Sequence, residues 1–221
     1  SPAILMRSKA PDPHQRLGKR TFLHVTSFSW AQFEQQINPF YGAPQSIYSD
    51  HFQWAQGTTG PLGYKLEVPP MQPAFAASLL AAEGPDNEAI MANLPHSNML
   101  IALLRDGFHP DSPGGTVELR DNGSTVLDYP LTDALWENER QKYLSMTEIQ
   151  LAAGAQQVKP VHNDARFVST LEQAKRMIND LPMVPLRTRL GSAHVMGGCG
   201  FGEDPRQSVA DSQGRHHQLE N

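Results

Sequence analysis

Cysteine is almost missing: Cys199 stands alone among 221 residues, which excludes an intrachain disulfide. A small secreted scaffold stapled by crosslinks thereby loses its support, and a reducing, cytoplasmic compartment is the expectation. Long apolar runs are missing too. The longest, Met99–Leu104 and Ala74–Ala82, the second interrupted by Ser78, fall far short of the roughly 20 residues that a membrane-spanning helix needs. Basic clustering is absent as well, since 18 Lys and Arg stand against 23 Asp and Glu for a formal charge of -5, with both signs interleaved. A chain without a basic stripe has little to offer a phosphate backbone, so nucleic acid is not an expected partner. The start carries neither an initiator Met nor a basic segment followed by an apolar one. It opens on Ser1-Pro2-Ala3-Ile4-Leu5-Met6, and the expectation is a preceding N-terminal portion.

What is present is a chain of moderate apolar content, 39% hydrophobic and 19% charged, with 17 Gly and 18 Pro that call for many turns. Its length permits one large domain or two small ones with a sizeable core. Pro2 to about Ser8 reads as a short helix that Ser1 can cap, proline being tolerated in a first turn. After Pro11, Pro13 and Gly18, the stretch Thr21–Trp30 alternates as a strand, with Phe22, His24, Thr26 and Phe28 on one face. Residues 37–63 are rich in turn formers and read as a long surface loop around an extended piece at 46–54. Tyr64–Val68 is a strand closed by Pro69-Pro70. Ala74–Ala82 and Asn87–Ala92 are short helices, and Met99–Leu104 is a buried strand.

The clearest local signal is Thr116-Val-Glu-Leu-Arg-Asp, Asn122-Gly123 and Ser124-Thr-Val-Leu-Asp-Tyr129, which predicts a hairpin with a type I′ turn. Thr132 or Asp133 then opens a long helix to Ala153, with Trp136, Tyr143, Met146, Ile149 and Ala153 at helical spacing and Gly154 as its left-handed stop. Gln156–His162 is a strand, and Thr170–Leu181 a helix with Leu171, Ala174, Ile178 and Leu181 on one face. The expected fold class is α+β: a mostly antiparallel sheet of about five or six strands with helices 132–153 and 170–181 packed on it.

From Gly191 onward the chain changes character. It runs Gly191-Ser-Ala-His194-Val-Met-Gly-Gly-Cys199-Gly-Phe-Gly-Glu-Asp-Pro205, then Ser208-Val-Ala-Asp211 and Gly214-Arg215-His216. Its glycines do not make a dinucleotide fingerprint, because no strand precedes and no helix follows them. Cys199 reads as a small packing residue more readily than as a nucleophile, since no polarising partner is near it in sequence. His194, Cys199 and His216 lack the paired spacing of a zinc site, so no metal is expected. His216 and His217 read as structural. Phe40, Tyr48, Phe52, Trp54 and Trp30 suit either an apolar ligand pocket or plain core packing.

This tail resembles the C-terminal signature of the glucose-methanol-choline oxidoreductases. There a histidine precedes a Gly-Gly-Cys turn by three residues, and Asp-Pro, a Val-Val-Asp strand and Gly-Arg-Val-His follow. Gly200-Phe201 stands where Arg-Met is common. Ser1-Pro2-Ala3-Ile4-Leu5-Met6-Arg7-Ser8 resembles the family's Ser-Pro-x-Leu-Leu-x-x-Ser-Gly helix, with Lys9 in place of the glycine. Arg16-Leu17-Gly18-Lys19-Arg20 and His24 resemble its Val-Gly-Arg-Asn-Leu stretch and the His-Pro that follows.

The resemblance implies a fragment of an FAD-dependent oxidoreductase acting on the CH–OH group of an alcohol: choline, a long-chain or aromatic alcohol, or a sugar. It implies three segments: residues 1–20 ending a cofactor-domain helix and its connection, 21–190 forming the substrate-binding domain, and 191–221 returning to the cofactor domain. It makes His194 the catalytic base, a role histidine suits because imidazole titrates near neutrality. It puts Gly197, Gly198 and Cys199 in a loop near the flavin. The main FAD motif, with its Gly-x-Gly-x-x-Gly, and a second active-site residue are expected in the remainder of the same polypeptide, as dehydrogenase or oxidase, and the fragment alone is expected to be inactive. A stand-alone ligand-binding module is the alternative.

Overall fold

The computed structural model describes residues 1–54, 57–58, 60–80, 82–107, 109 and 112–220. The chain forms two compact units: residues 1–24, 106–132 and 192–221 make the first, and residues 25–105 and 133–191 the second.

In the second unit a five-stranded antiparallel sheet runs in the order β2-β3-β4-β1-β7. Its strands are β1 (Thr26–Gln32), β2 (Tyr48–Ser49), β3 (Tyr64–Glu67), β4 (Ser97–Leu104) and β7 (Gln157–Pro160). β1 lies between β4 and β7, with Trp30 opposite Met99 on one side and Lys159 on the other. Helices α4 (Asp133–Ala152) and α5 (Leu171–Asp180) cover one face, where Ala31, Leu100, Ala102, Tyr143, Met146 and Ile178 pack together. Helices α2 (Pro73–Leu79) and α3 (Gly84–Ala92) cover the other, over Phe28, Trp30, Met71, Met99 and Ile101. With both faces of the sheet covered, every residue of β1 is buried, the polar Thr26, Ser27, Ser29 and Gln32 included.

Three expectations need correction. The first strand starts at Thr26, not Thr21, because the chain is kinked at His24, whose φ is +51°; a left-handed residue cannot continue a strand. The buried face of α4 is also only partly the one its apolar residues mark: Tyr143 and Met146 are buried and Trp136 packs against the core, but the rest differ. Ile149 and Ala153 are exposed, while Asn138, Glu139, Lys142, Thr147 and Gln150 point inward. Each has a partner there: Asn138 Nδ2 donates to Leu62 O, Glu139 is ion-paired with Lys142, Thr147 Oγ1 donates to Tyr143 O at 2.8 Å, Gln150 Nε2 donates to Ser29 O at 2.9 Å, and Ser29 Oγ donates to Gln150 Oε1 at 2.6 Å, while Asn138 Oδ1 is left without a hydrogen bond among the described residues. Burial of polar groups with partners costs little, and periodicity of apolar residues alone cannot reveal it. α5 follows expectation, capped by Thr170, whose hydroxyl accepts from Gln173 N at 3.2 Å.

In the first unit, α1 (Pro2–Arg7) packs on the hairpin of β5 (Thr116–Leu119) and β6 (Thr125–Asp128). The sequence places this hairpin inside a continuous domain of residues 21–190. In the structure it pairs with residues 18–21 of the same unit, Thr21 bridging to Gly115 and Val117 N donating to Gly18 O at 2.9 Å. Its turn is the third correction. Arg120 N donates to Ser124 O at 2.9 Å and Gly123 N to Arg120 O at 2.8 Å, leaving a three-residue loop. Gly123 is left-handed at φ +75° while Asn122 is not, so the turn is a type I turn with a glycine bulge, not type I′. Asn122 Oδ1 accepts from Ser124 N at 3.0 Å, an Asx turn that holds Asn122 in the right-handed region. Among the described residues no helix is long and apolar enough to cross a membrane.

Candidate active site

The site is built within the first unit by a close backbone pairing. Phe22 N donates to Met196 O at 2.8 Å and Met196 N to Phe22 O at 2.9 Å. This fixes the residues just after Phe22 beside those just before Met196, and it sets His24 against His194. Their Nδ1 atoms are 2.9 Å apart, with ring centroids at 5.1 Å and planes inclined by 45°. His194 is exposed and His24 half-buried. Two imidazoles that meet through the same atom need one proton between them, so one Nδ1 donates and the other accepts.

The peptide joining Leu23 to His24 is itself held. Ser192 Oγ donates to Leu23 O, which ties the segment leading to His194 to the segment leading to His24. On the other side is Tyr129, whose hydroxyl donates to the buried carboxylate of Asp106, as does Ser112 Oγ. Ser112 Oγ accepts in turn from Gly107 N at 3.1 Å. Burial raises the Tyr129 phenol well above its ordinary value, the hydrogen bond to Asp106 and its negative charge add to this, and a backbone hydrogen bond from Leu23 opposes them. A bond that lowers a phenol's pKa donates to its oxygen, so it is the Leu23 N–H that reaches Tyr129. Both polar groups of the Leu23 residue are therefore engaged by side chains.

The turn after His194 is shaped by two left-handed glycines, Gly197 at φ +81° and Gly198 at φ +74°. A Cβ on Gly197 would run into the carbonyl oxygen of Arg20, and one on Gly198 would stand 2.6 Å from Pro2 Cγ and 2.8 Å from Thr21 Oγ1. Gly198 O accepts from Gly18 N at 2.7 Å. Cys199 is half-buried, and burial pushes its thiol pKa up, so it lacks the thiolate character that a nucleophile needs. An apolar groove of about 1260 Å³ opens here, lined by Ile4, Val195, Met196, Gly197, Cys199 and Phe201 among others. His216 also lines it. His217 is used structurally, its Nε2 lying 2.9 Å from Ser208 Oγ and 3.0 Å from Gly202 O. Among the described residues no cluster of three or more His, Cys, Asp or Glu side chains is placed to hold a metal ion.

The aromatic residues marked in the sequence are not gathered. Trp30 is in the core under α2 and α3, whereas Phe52 stacks on Tyr64 at 5.0 Å. Trp54 lies beneath Arg105 at 4.5 Å and Tyr48 beneath Lys65 at 4.1 Å. Sequence reasoning missed the partnership of His24 with His194 and the Asp106, Ser112 and Tyr129 cluster. The two histidines are 170 residues apart in the chain, and nothing in either local pattern announces the other.

Comparison with known proteins agrees with this architecture. Residues 110–221 match the family model described as GMC oxidoreductase, and the chain belongs to that family. The chain is similar to the Long-chain-alcohol oxidase FAO4A of Arabidopsis thaliana, 22% identical over 236 aligned positions that take in 100% of this chain and 31% of the relative. It thus spans under a third of that relative's length.

Proposed function

We propose that this chain is the portion of an FAD-dependent oxidoreductase that handles the CH–OH group of an alcohol, with His194 as the base that takes the hydroxyl proton. One observation carries this reading: an exposed imidazole whose Nδ1 is engaged by His24, so that its Nε2 is the atom left for a substrate oxygen. A histidine held in this way has the freedom of rotation removed and the right atom presented, which is what proton abstraction requires.

The residues present fit the cofactor. The groove that begins at Val195, the residue after His194, is apolar, and Gly197 and Cys199 at its wall leave backbone accessible to a flat ring, while His194 itself is not among its lining residues. Gly198 is buried beneath that wall, where it shapes the turn. FAD when bound supplies a hydride acceptor at its N5. The chain's own part is to hold His194 in place, to shield the groove from water with Val195, Met196 and Phe201, and to accept the proton at Nε2. In this reading the first unit belongs to the cofactor side of the enzyme, and residues 25–105 and 133–191 form the substrate-binding domain. A long-chain alcohol leads the substrates to test, with choline, aromatic and sugar alcohols after it.

The test is the visible absorption spectrum of the complete purified protein before and after anaerobic addition of these alcohols. Flavin bands that bleach with one of them are expected. A colourless protein that cannot be reconstituted with FAD overturns the proposal in favour of a ligand-binding module.

A further inference from the structure

We infer that His24 is a positioning residue for the base, accepting the Nδ1 proton of His194 and thereby fixing the tautomer whose Nε2 is free; this rests on the reading of His194 as the base. The Nδ1 to Nδ1 separation of 2.9 Å admits one proton, and only one of its two placements leaves His194 able to work as a base at Nε2. With the proton on His194 Nδ1, Nε2 carries a lone pair. With the proton on His24, Nε2 of neutral His194 is already occupied.

The surroundings of His24 are built to hold it. Its backbone is left-handed at φ +51°, a conformation that costs a residue with a Cβ roughly 1 kcal/mol or more and persists only where neighbours enforce it. Tyr129, its hydroxyl anchored on Asp106, holds Leu23 N–H, and Ser192 holds Leu23 O. Ser192 also lies two residues before His194, so one hydroxyl ties the two histidine-bearing segments together.

The proton count closes. His194 Nε2 takes the proton of the alcohol and the ring becomes an imidazolium, whose Nδ1–H then donates to neutral His24 through a charge-assisted bond. Such bonds are stronger than neutral ones, so the contact between the two Nδ1 atoms is kept as the proton arrives. His24 needs its own proton on Nε2 throughout, and it gains or loses none.

The experiment uses the complete protein with its flavin, labelled with 15N-histidine, and the variants His24→Ala, His24→Asn and His194→Gln. Nitrogen chemical shifts distinguish a protonated from an unprotonated ring nitrogen, and the His194 signals are identified by their loss in His194→Gln. Nδ1-protonated His194 is expected in the unaltered protein, with a mixture of tautomers in His24→Ala. The kcat for the alcohol is expected to fall about 10-fold to 100-fold in His24→Ala with KM little changed, and His24→Asn, whose amide oxygen can accept the same proton, to recover part of it. An Nε2-protonated His194, or an unaltered tautomer and kcat in His24→Ala, overturns the inference. If His194→Gln itself keeps full activity the base assignment falls, and a tautomer still locked by His24 would then mark the pair as purely structural.

Discussion

The ammonium of Lys142 is ion-paired with the carboxylate of Glu139 one turn earlier on α4, and both side chains are wholly buried. Lys142 Nζ also donates to Val25 O at 3.4 Å, beside the start of β1. Two charges removed from water hold each other in place, but either one left alone in that interior would be strongly penalised. Lys142→Met or Glu139→Leu alone is therefore expected to cost about 3–5 kcal/mol, while the double substitution restores stability to near its starting value. Urea unfolding followed by tryptophan fluorescence reads this directly, and additive losses in the double variant would show that the pair does not act as a unit.

His162 sets a pH dependence. It is fully buried; its Nδ1 accepts from Asp164 N at 3.1 Å, so its Nε2–H donates to Pro182 O at 3.0 Å. Burial lowers its pKa below the usual 6.5, against the hydrogen bond to Pro182 and the nearby Asp164, which act upward. The folded state thus binds this proton less readily than the unfolded chain. Stability is complete above about pH 6.5 and is lost as pH falls toward the depressed folded value. His162→Gln is expected to lower the melting temperature at pH 7 but to flatten its decline between about pH 6.5 and 5. A decline of unchanged slope would assign the effect to another group.

Gly123 and Gly197 are both left-handed, yet their substitution should differ. A Cβ on Gly123 meets no atom within 4 Å, so Gly123→Ala costs only the backbone conformation, about 1–2 kcal/mol. Gly197→Ala adds a collision with the Arg20 carbonyl, which can be relieved only by opening the pairing of Phe22 with Met196. The expected signature is a larger loss of stability and a displaced His194. Equal losses in the two variants, measured by thermal melting, would mean that the Arg20 backbone yields freely.

How much of this was legible in the sequence depends on whether the signal is local. The hairpin at 116–129, the helices α4 and α5 and the buried strand β4 were readable because turn chemistry, capping and apolar runs act over a few residues. Thr170 and Gly154 stop or start their helices for reasons that a dipeptide can carry. His194 was singled out by a motif resemblance, and the structure sets His24 against it. What stayed hidden depends on long-range pairing. The inward face of α4 carries polar residues beside Tyr143 and Met146 because Gln150 meets Ser29 and Asn138 meets Leu62, partners that no window of sequence contains. The early end of the first strand was missed because a histidine, not a glycine, takes the left-handed conformation at position 24.

His194→Ala in the complete protein is expected to lower alcohol oxidation by about 100-fold or more, the usual scale for loss of a general base, while bound flavin is retained. Turnover and the flavin spectrum are measured together. Unchanged turnover with flavin in place would refute the assignment of His194.

The order of strands in the sheet also governs how the chain is made. β1 is the buried centre of the second unit, yet its partners β4 and β7 lie roughly 65 and 125 residues further along the chain. At translation speeds of about 5–20 residues per second, this strand, which carries Phe28 and Trp30, waits on the order of ten seconds at the ribosome before its second edge is covered. The first unit waits longer still, because its third segment, 192–221, carries the partner of Phe22. Nascent chains of this protein therefore pass through a stage in which Phe28 and Trp30 lack the strands that flank them, and co-expression of a holding chaperone is expected to raise the yield of folded protein.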